Sequence, residues 1–102
     1  MNEKDAEKAM ELIYIAGNAK SIALQAIMLA EGGKIKEARE KYKESKEELH
    51  KAHEIQTGLL NREVNGETIE KTILLIHAQD HFMSASTVIE LTERFIKIYE
   101  NK

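Results

Sequence analysis

Proline, cysteine and tryptophan are absent from the 102 residues, and glycine occurs only five times. Without proline, nothing in the covalent chain forces a long helix to kink or stop. Without cysteine there is no disulfide and no thiol chemistry, which fits a reducing compartment. Aromatic residues are 5% of the chain, so Leu, Ile, Ala and Met must build the core. No excess of positive charge exists either: the net charge of -3 argues against a nonspecific grip on nucleic acid or an anionic membrane. No apolar run approaches the ~20 residues of a membrane-crossing helix. The opening "MNEKDAEKAM" carries both charge signs and is no secretory signal. A cytoplasmic protein without membrane insertion is expected, and the length suits one domain, residues 1–102, with a modest core.

What is present is helix-forming sequence with two breaks. Gly32-Gly33 and Asn65-Gly66 are the only strong turn signals. Between them apolar residues recur at steps of three and four. Helices are expected at roughly 3–31, 34–63 and 67–100, good to ~2–4 residues. Short connections between long helices imply an all-α, antiparallel up-down-up three-helix bundle.

The second helix has one stripe, Ile35, Ala38, Tyr42, Ser45, Leu49, Ala52, Gln56 and Leu59, and a charged remainder that reads as a solvated face. Glu37 with Lys41, and Glu47 with Lys51, have the favourable i, i+4 spacing. His50 falls in the charged run and His53 lies beside the stripe. In the first helix polar residues are sparse from Leu12 to Ala30, and its alanines allow close helix approach.

The third helix carries two apolar stripes. One is Ile69, Ile73, Ile76, Asp80, Met83 and Thr87; the other is Leu74, Ala78, His81, Ala85, Val88, Thr92, Phe95 and Tyr99. Leu75, Phe82 and Ile89 widen the apolar surface. A helix apolar over most of its circumference is buried on more than one side. Packing of this helix, and of half of the first, against further copies of the chain is therefore expected.

Into that surface "TILLIHAQDHFMSAS" places two histidines, a glutamine and an aspartate. A carboxylate at Asp80, mid-stripe, is costly unless partnered. If third helices meet on a rotation axis, symmetry-related Asp80 carboxylates converge and retain protons or enclose a hard cation such as Mg²⁺. Alternatively Asp80 only fixes register. His77 and His81, four apart, share a face. They suit zinc ligation, a nucleophilic imidazole that accepts a transferable group, or a hydrogen-bonded core pair. The zinc motif with Glu directly after its first His is not met, since Ala78 stands there.

"HAQDHFMSA", read with "AGNAKSIALQAI", "AHEIQTGLL" and "NREVNGE", resembles the IIA component of the lactose/cellobiose (N,N'-diacetylchitobiose) family of the bacterial phosphoenolpyruvate-dependent sugar phosphotransferase system. The likeness runs in order along nearly the whole chain, with Phe82 and Ser84 where Leu and Thr are usual. It implies a homotrimer with the third helices around the axis. It implies that His77 takes a phosphoryl group from HPr and passes it to a cysteine of the IIB component during disaccharide uptake. By the same resemblance Asp80 meets its two mates around a divalent metal ion, Mg²⁺ or another, and His81 and Gln79 support the site. The alternatives are a trimeric helical metal-binding or scaffold protein using His77, Asp80 and His81, or a plain interaction bundle.

Overall fold

The computed structural model describes residues 1–102 as three helices: α1 (Glu3–Glu31), α2 (Ile35–Val64) and α3 (Ile73–Glu100). They form a rod of 51 × 20 × 17 Å. The expected bundle and the first two helices are found within a residue of their expected bounds.

Each end of a helix has a local cause. The Asn2 side chain accepts from the Asp5 amide at 2.8 Å and starts α1; Thr72 Oγ1 accepts from the Leu75 amide at 3.1 Å and starts α3. Both turns close in the same way. Lys34 N–H donates to Leu29 C=O at 2.9 Å and Gly33 N–H to Ala30 C=O at 3.0 Å, while Glu67 N–H donates to Arg62 C=O and Gly66 N–H to Glu63 C=O, each at 3.0 Å. These paired bonds satisfy the last carbonyls and need a left-handed residue, which Gly33 (φ 81°) and Gly66 (φ 91°) supply.

The third helix starts six residues later than the turn signal suggests, at Ile73 and not at 67. Residues 67–72 run as an irregular connection, held at one end by Arg62, which pairs with Glu67, and at the other by the Thr72 cap. Ile69 is therefore not a member of a helical stripe. Its side chain, 2% exposed, drops into the main core cluster with Leu12, Leu59 and Leu75. Periodicity from Ile69 to Ile73 matches a helix by coincidence; the capping threonine decides the boundary.

α1 lies between the other two, packing about equally on α2 and α3, which touch one another less. Its inner surface is mostly alanine: Ala9, Ala16, Ala19, Ala23, Ala26 and Ala30 are buried along with Leu12 and Ile22. Small side chains let both neighbours approach closely. This central placement also corrects the expectation about apolar runs. By length and composition α1 is apolar enough to cross a membrane, yet it is the helix most enclosed by its own bundle.

On α2 the expected stripe is the inner face throughout, with Ala38, Ser45, Ala52 and Leu59 fully buried and the residues between them half-buried. The surface pairs differ from the expected ones: Lys41 meets Glu44 at 3.5 Å and Lys51 meets Glu48 at 2.6 Å, both at i, i+3. On α3 the buried line is neither expected stripe as a whole. It is Leu75, Ala78, Ala85, Ile89, Thr92 and Ile96, with Phe82 half-buried among them. Ile73, Ile76, Met83, Leu91 and Ile98 instead form an exposed apolar face, beside Met10, Tyr14, Leu24 and Met28 on α1. Spacing alone cannot say which of two apolar stripes meets the chain's own helices.

Candidate functional site

Thr72 fixes the phase and origin of α3, and so sets His77 on its second turn. The first turn holds no acidic residue, in contrast to Glu3 and Asp5 in α1. The positive end of the α3 dipole is thus left free to favour an anion near it.

His77 is exposed and His81, one turn on, is half-buried. Their rings meet nearly edge to face, centroids 4.5 Å apart and planes at 82°, with Nε2 to Nε2 at 3.1 Å. That contact is a hydrogen bond only if one Nε2 carries a proton and the other offers its lone pair. The spacing suits complementary tautomers across the gap, one Nε2 protonated and the other bare. Such an arrangement keeps one ring nitrogen as a lone-pair donor and presents an N–H beside it.

Asp80 is exposed, flanked on its own face by exposed Ile76 and Met83. It stands outside the protomer's core, so the apolar stripe it interrupts belongs to the outer face of the bundle. No group of three or more His, Cys, Asp or Glu side chains converges within the chain. One protomer accordingly offers neither the third ligand that a zinc site at His77 and His81 requires nor an oxygen cage for a hard cation.

Gln79 follows His77 by two residues, about 200° around the helix. Within one protomer the two side chains point to opposite flanks. Gln79 lies in the groove between α3 and α2 with Gln56, Leu60 and Ile76. Gln56 Oε1 is buried there without a hydrogen-bond partner. His50 is removed from the site, exposed and paired with Glu54 at 3.1 Å. His53 approaches Phe82, ring centroids 6.1 Å apart, so the larger residue at this position packs across to α2.

Sequence reasoning missed one contact. Lys20 Nζ, from α1, donates to Ser84 Oγ at 3.1 Å, on the turn after His81. The available signal was the isolation of this lysine: it is the only basic residue between Lys8 and Lys34.

Residues 7–100 match a family described as "PTS system, Lactose/Cellobiose specific IIA subunit". The chain is 43% identical over 100 residues to the lichenan-specific phosphotransferase enzyme IIA component of Bacillus subtilis (strain 168), covering 98% of this chain and 91% of that one. It is similar in structure to the PTS cellobiose-specific enzyme IIA from Bacillus anthracis, with a TM-score of 0.94, 42% identity, and coverage of 99% and 92%. A chitobiose IIA solved in solution as a complex with HPr, from Escherichia coli, aligns with a TM-score of 0.78 at 28% identity, covering 99% of this chain and 97% of that one. The match spans all three helices and the His77–His81 turn. The chain belongs to the lactose/cellobiose-specific IIA family and is a phosphocarrier, a phosphotransferase component of sugar uptake.

Proposed function

We propose that His77 is the phosphoryl acceptor of this carrier, charged by HPr and discharged onto a cysteine of a IIB component in the cytoplasm, during uptake of a lactose-, cellobiose- or chitobiose-type disaccharide. The observation that carries the reading is the His77–His81 contact. His77 is the exposed member, open to a protein donor, and His81 is the half-buried one. With the Nε2 proton on His81, the His77 Nε2 lone pair is the acceptor of that bond, and it becomes available to phosphorus when the bond opens and the exposed His77 ring turns toward the donor. As the N–P bond to His77 forms, the N–P bond of the donor phosphohistidine breaks. One imidazole gains phosphorus and the other loses it, so no net proton is required. The N–H of His81 is then placed to donate to a phosphoryl oxygen, a charge-assisted bond stronger than the one it replaces. Catalysis consists of positioning and charge stabilisation. The chitobiose IIA–HPr complex among its structural relatives supports HPr as the donor.

The exposed apolar face of α3 and α1 supports a homotrimer with α3 around the axis. Ile73 is 87% exposed and Met83 66% exposed, and with exposed Ile76, Leu91 and Ile98 they lie on the α3 face turned away from its buried line, the kind of apolar surface that marks an association site. Around a threefold axis, Asp80 from each protomer would reach one point, and three carboxylates suit Mg²⁺ or a similar divalent cation that offsets their repulsion. The groove holding Gln79 would come from a neighbouring protomer to the His77 side, giving this glutamine its supporting role.

The test is to incubate the protein with Enzyme I, HPr and phosphoenolpyruvate. One acid-labile phosphate per chain is expected, absent in His77→Ala and retained in His50→Ala. A phosphate that persists in His77→Ala, or none in the parent, contradicts the assignment.

A further inference from the structure

We infer that Lys20, parked on Ser84 about 10 Å along the helix from His77, is the mobile cation that swings to the phosphoryl group once it is bound. The inference rests on the reading of His77 as acceptor. A phosphoryl group brings close to two negative charges onto a partly apolar surface, and such charge needs a nearby cation or N–H donors. The midsection of the α1–α3 face offers one cation only. α1 has no other basic residue after Lys8, and α3 has none before Arg94. Lys20 is half-buried, and its hydrogen-bond partner in the protomer is the neutral hydroxyl of Ser84. Half-buried cations ordinarily sit against carboxylates, as Arg62 does with Asp5 and Glu67. Lys20 holds its charge in reserve.

Ser84 is distinctive in a second way. α3 contains four serine and threonine side chains, and Ser86, Thr87 and Thr92 each donate back to the carbonyl four residues earlier, at 3.0, 3.2 and 2.7 Å. That local bond is the usual resting place of a helical hydroxyl. Ser84 accepts from Lys20 instead, and its own proton is uncommitted. Seven residues after His77, Ser84 returns to within about 20° of the same helix azimuth, with His81 between them. His77, His81, Ser84 and Lys20 thus form one line along the α1 flank: acceptor, N–H donor, O–H donor, cation. Lys20 is a positioning residue for the unphosphorylated enzyme and a charge partner for the phosphorylated one. Its ammonium, on a flexible stem, swings toward the phosphoryl oxygens from the flank on which Ser84 holds it.

The experiment compares the full-length parent with Lys20→Met, Lys20→Arg and Ser84→Ala in HPr-driven phosphorylation, with ³¹P titration of the phosphorylated proteins. Lys20→Met is expected to transfer roughly 10–100-fold more slowly and to raise the pH at which the phosphoryl group takes up its last proton, with an unchanged melting temperature and mass. Lys20→Arg should keep most of the parental rate, and Ser84→Ala should fall between. Parental rates and an unshifted ³¹P titration in both Lys20→Met and Ser84→Ala overturn the inference while leaving His77 as the acceptor. A change confined to metal dependence of the oligomer also overturns it, assigning Lys20 to the Asp80 carboxylates. If Lys20→Met does not fold, the Ser84→Ala rate and titration decide. A parent not phosphorylated on His77 removes both readings together.

Discussion

His77 and His81 hold their Nε2 atoms 3.1 Å apart, within hydrogen-bond reach when one of the two carries the proton. This relationship gives His81 a definite task. On the proposed assignment, an Nε2–H on His81 orients the His77 ring before transfer and donates to the phosphoryl group afterwards. His81→Ala should lower the rate of transfer from HPr by roughly 10–100-fold, the equivalent of one hydrogen bond to a charged group. His81→Gln, which retains a donor, should recover part of the loss. Stopped-flow transfer from phosphorylated HPr reads both, and equal rates in parent and His81→Ala would count against that role.

Asp80 stands between Ile76 and Met83 on a face that nothing in the protomer covers. If three copies meet there, the repulsion among carboxylates opposes the apolar contact. Asp80→Leu is then expected to keep its trimer in chelator at least as well as the parent does with divalent metal. Sedimentation equilibrium distinguishes the outcomes. Monomeric Asp80→Leu would contradict axial convergence.

Acid should loosen the connection before α3. The Arg62 guanidinium donates to Asp5 at 2.8 Å and to Glu67 at 2.9 and 2.7 Å, and these bonds hold both carboxyls below their ordinary values. Burial of Asp5 opposes the shift without cancelling it. Groups with depressed folded-state values stabilise fully above the unfolded value, near pH 4, and lose that contribution as the pH falls through the lower folded value. Melting temperature should therefore drop between pH 5 and pH 2.5 in the parent, and by less in Arg62→Met. Superimposable pH profiles for the two would show that this cluster contributes nothing to the acid response.

Ile69 behaves as a core residue even though it lies outside any helix. Its side chain is 2% exposed against Leu12, Leu59 and Leu75. Ile69→Ala should destabilise by about 2–4 kcal/mol in urea unfolding, the usual range for a buried Ile truncated to Ala. The neighbouring change Ile73→Ala, at an 87% exposed position, should leave protomer stability within about 0.5 kcal/mol and act on association instead.

These contrasts show which parts of the fold were readable from the chain. The inner face of α2 was legible in full, because one apolar stripe lies opposite a charged surface and only one face can be buried. α3 was not, because it has two apolar stripes and only one packs within the chain, leaving Ile73, Ile76 and Met83 exposed. The start of α3 was misplaced because Ile69 fits the helical period, while Thr72, a residue with capping chemistry, was passed over. The i, i+4 spacing of His77 and His81 put them on one face and left zinc ligation, a nucleophilic imidazole and a core pair open; only the resemblance of the surrounding motif pointed to phosphoryl transfer, and the reach of Lys20 to Ser84 depends on how α1 lies against α3. Gln79, two residues from His77, is placed on the opposite flank by helix geometry alone, while its position in the groove with Gln56 and Leu60 depends on how α2 packs on α3.

The claim on which the rest depends is that His77, of the chain's four histidines, carries the phosphoryl group. The most direct measurement is an NMR correlation through the N–P bond on ¹⁵N-histidine protein phosphorylated by HPr. Coupling of ³¹P to a ring nitrogen of His77, with His81 showing a retained N–H, is the expected result. Coupling to His81, His50 or His53 would contradict the account.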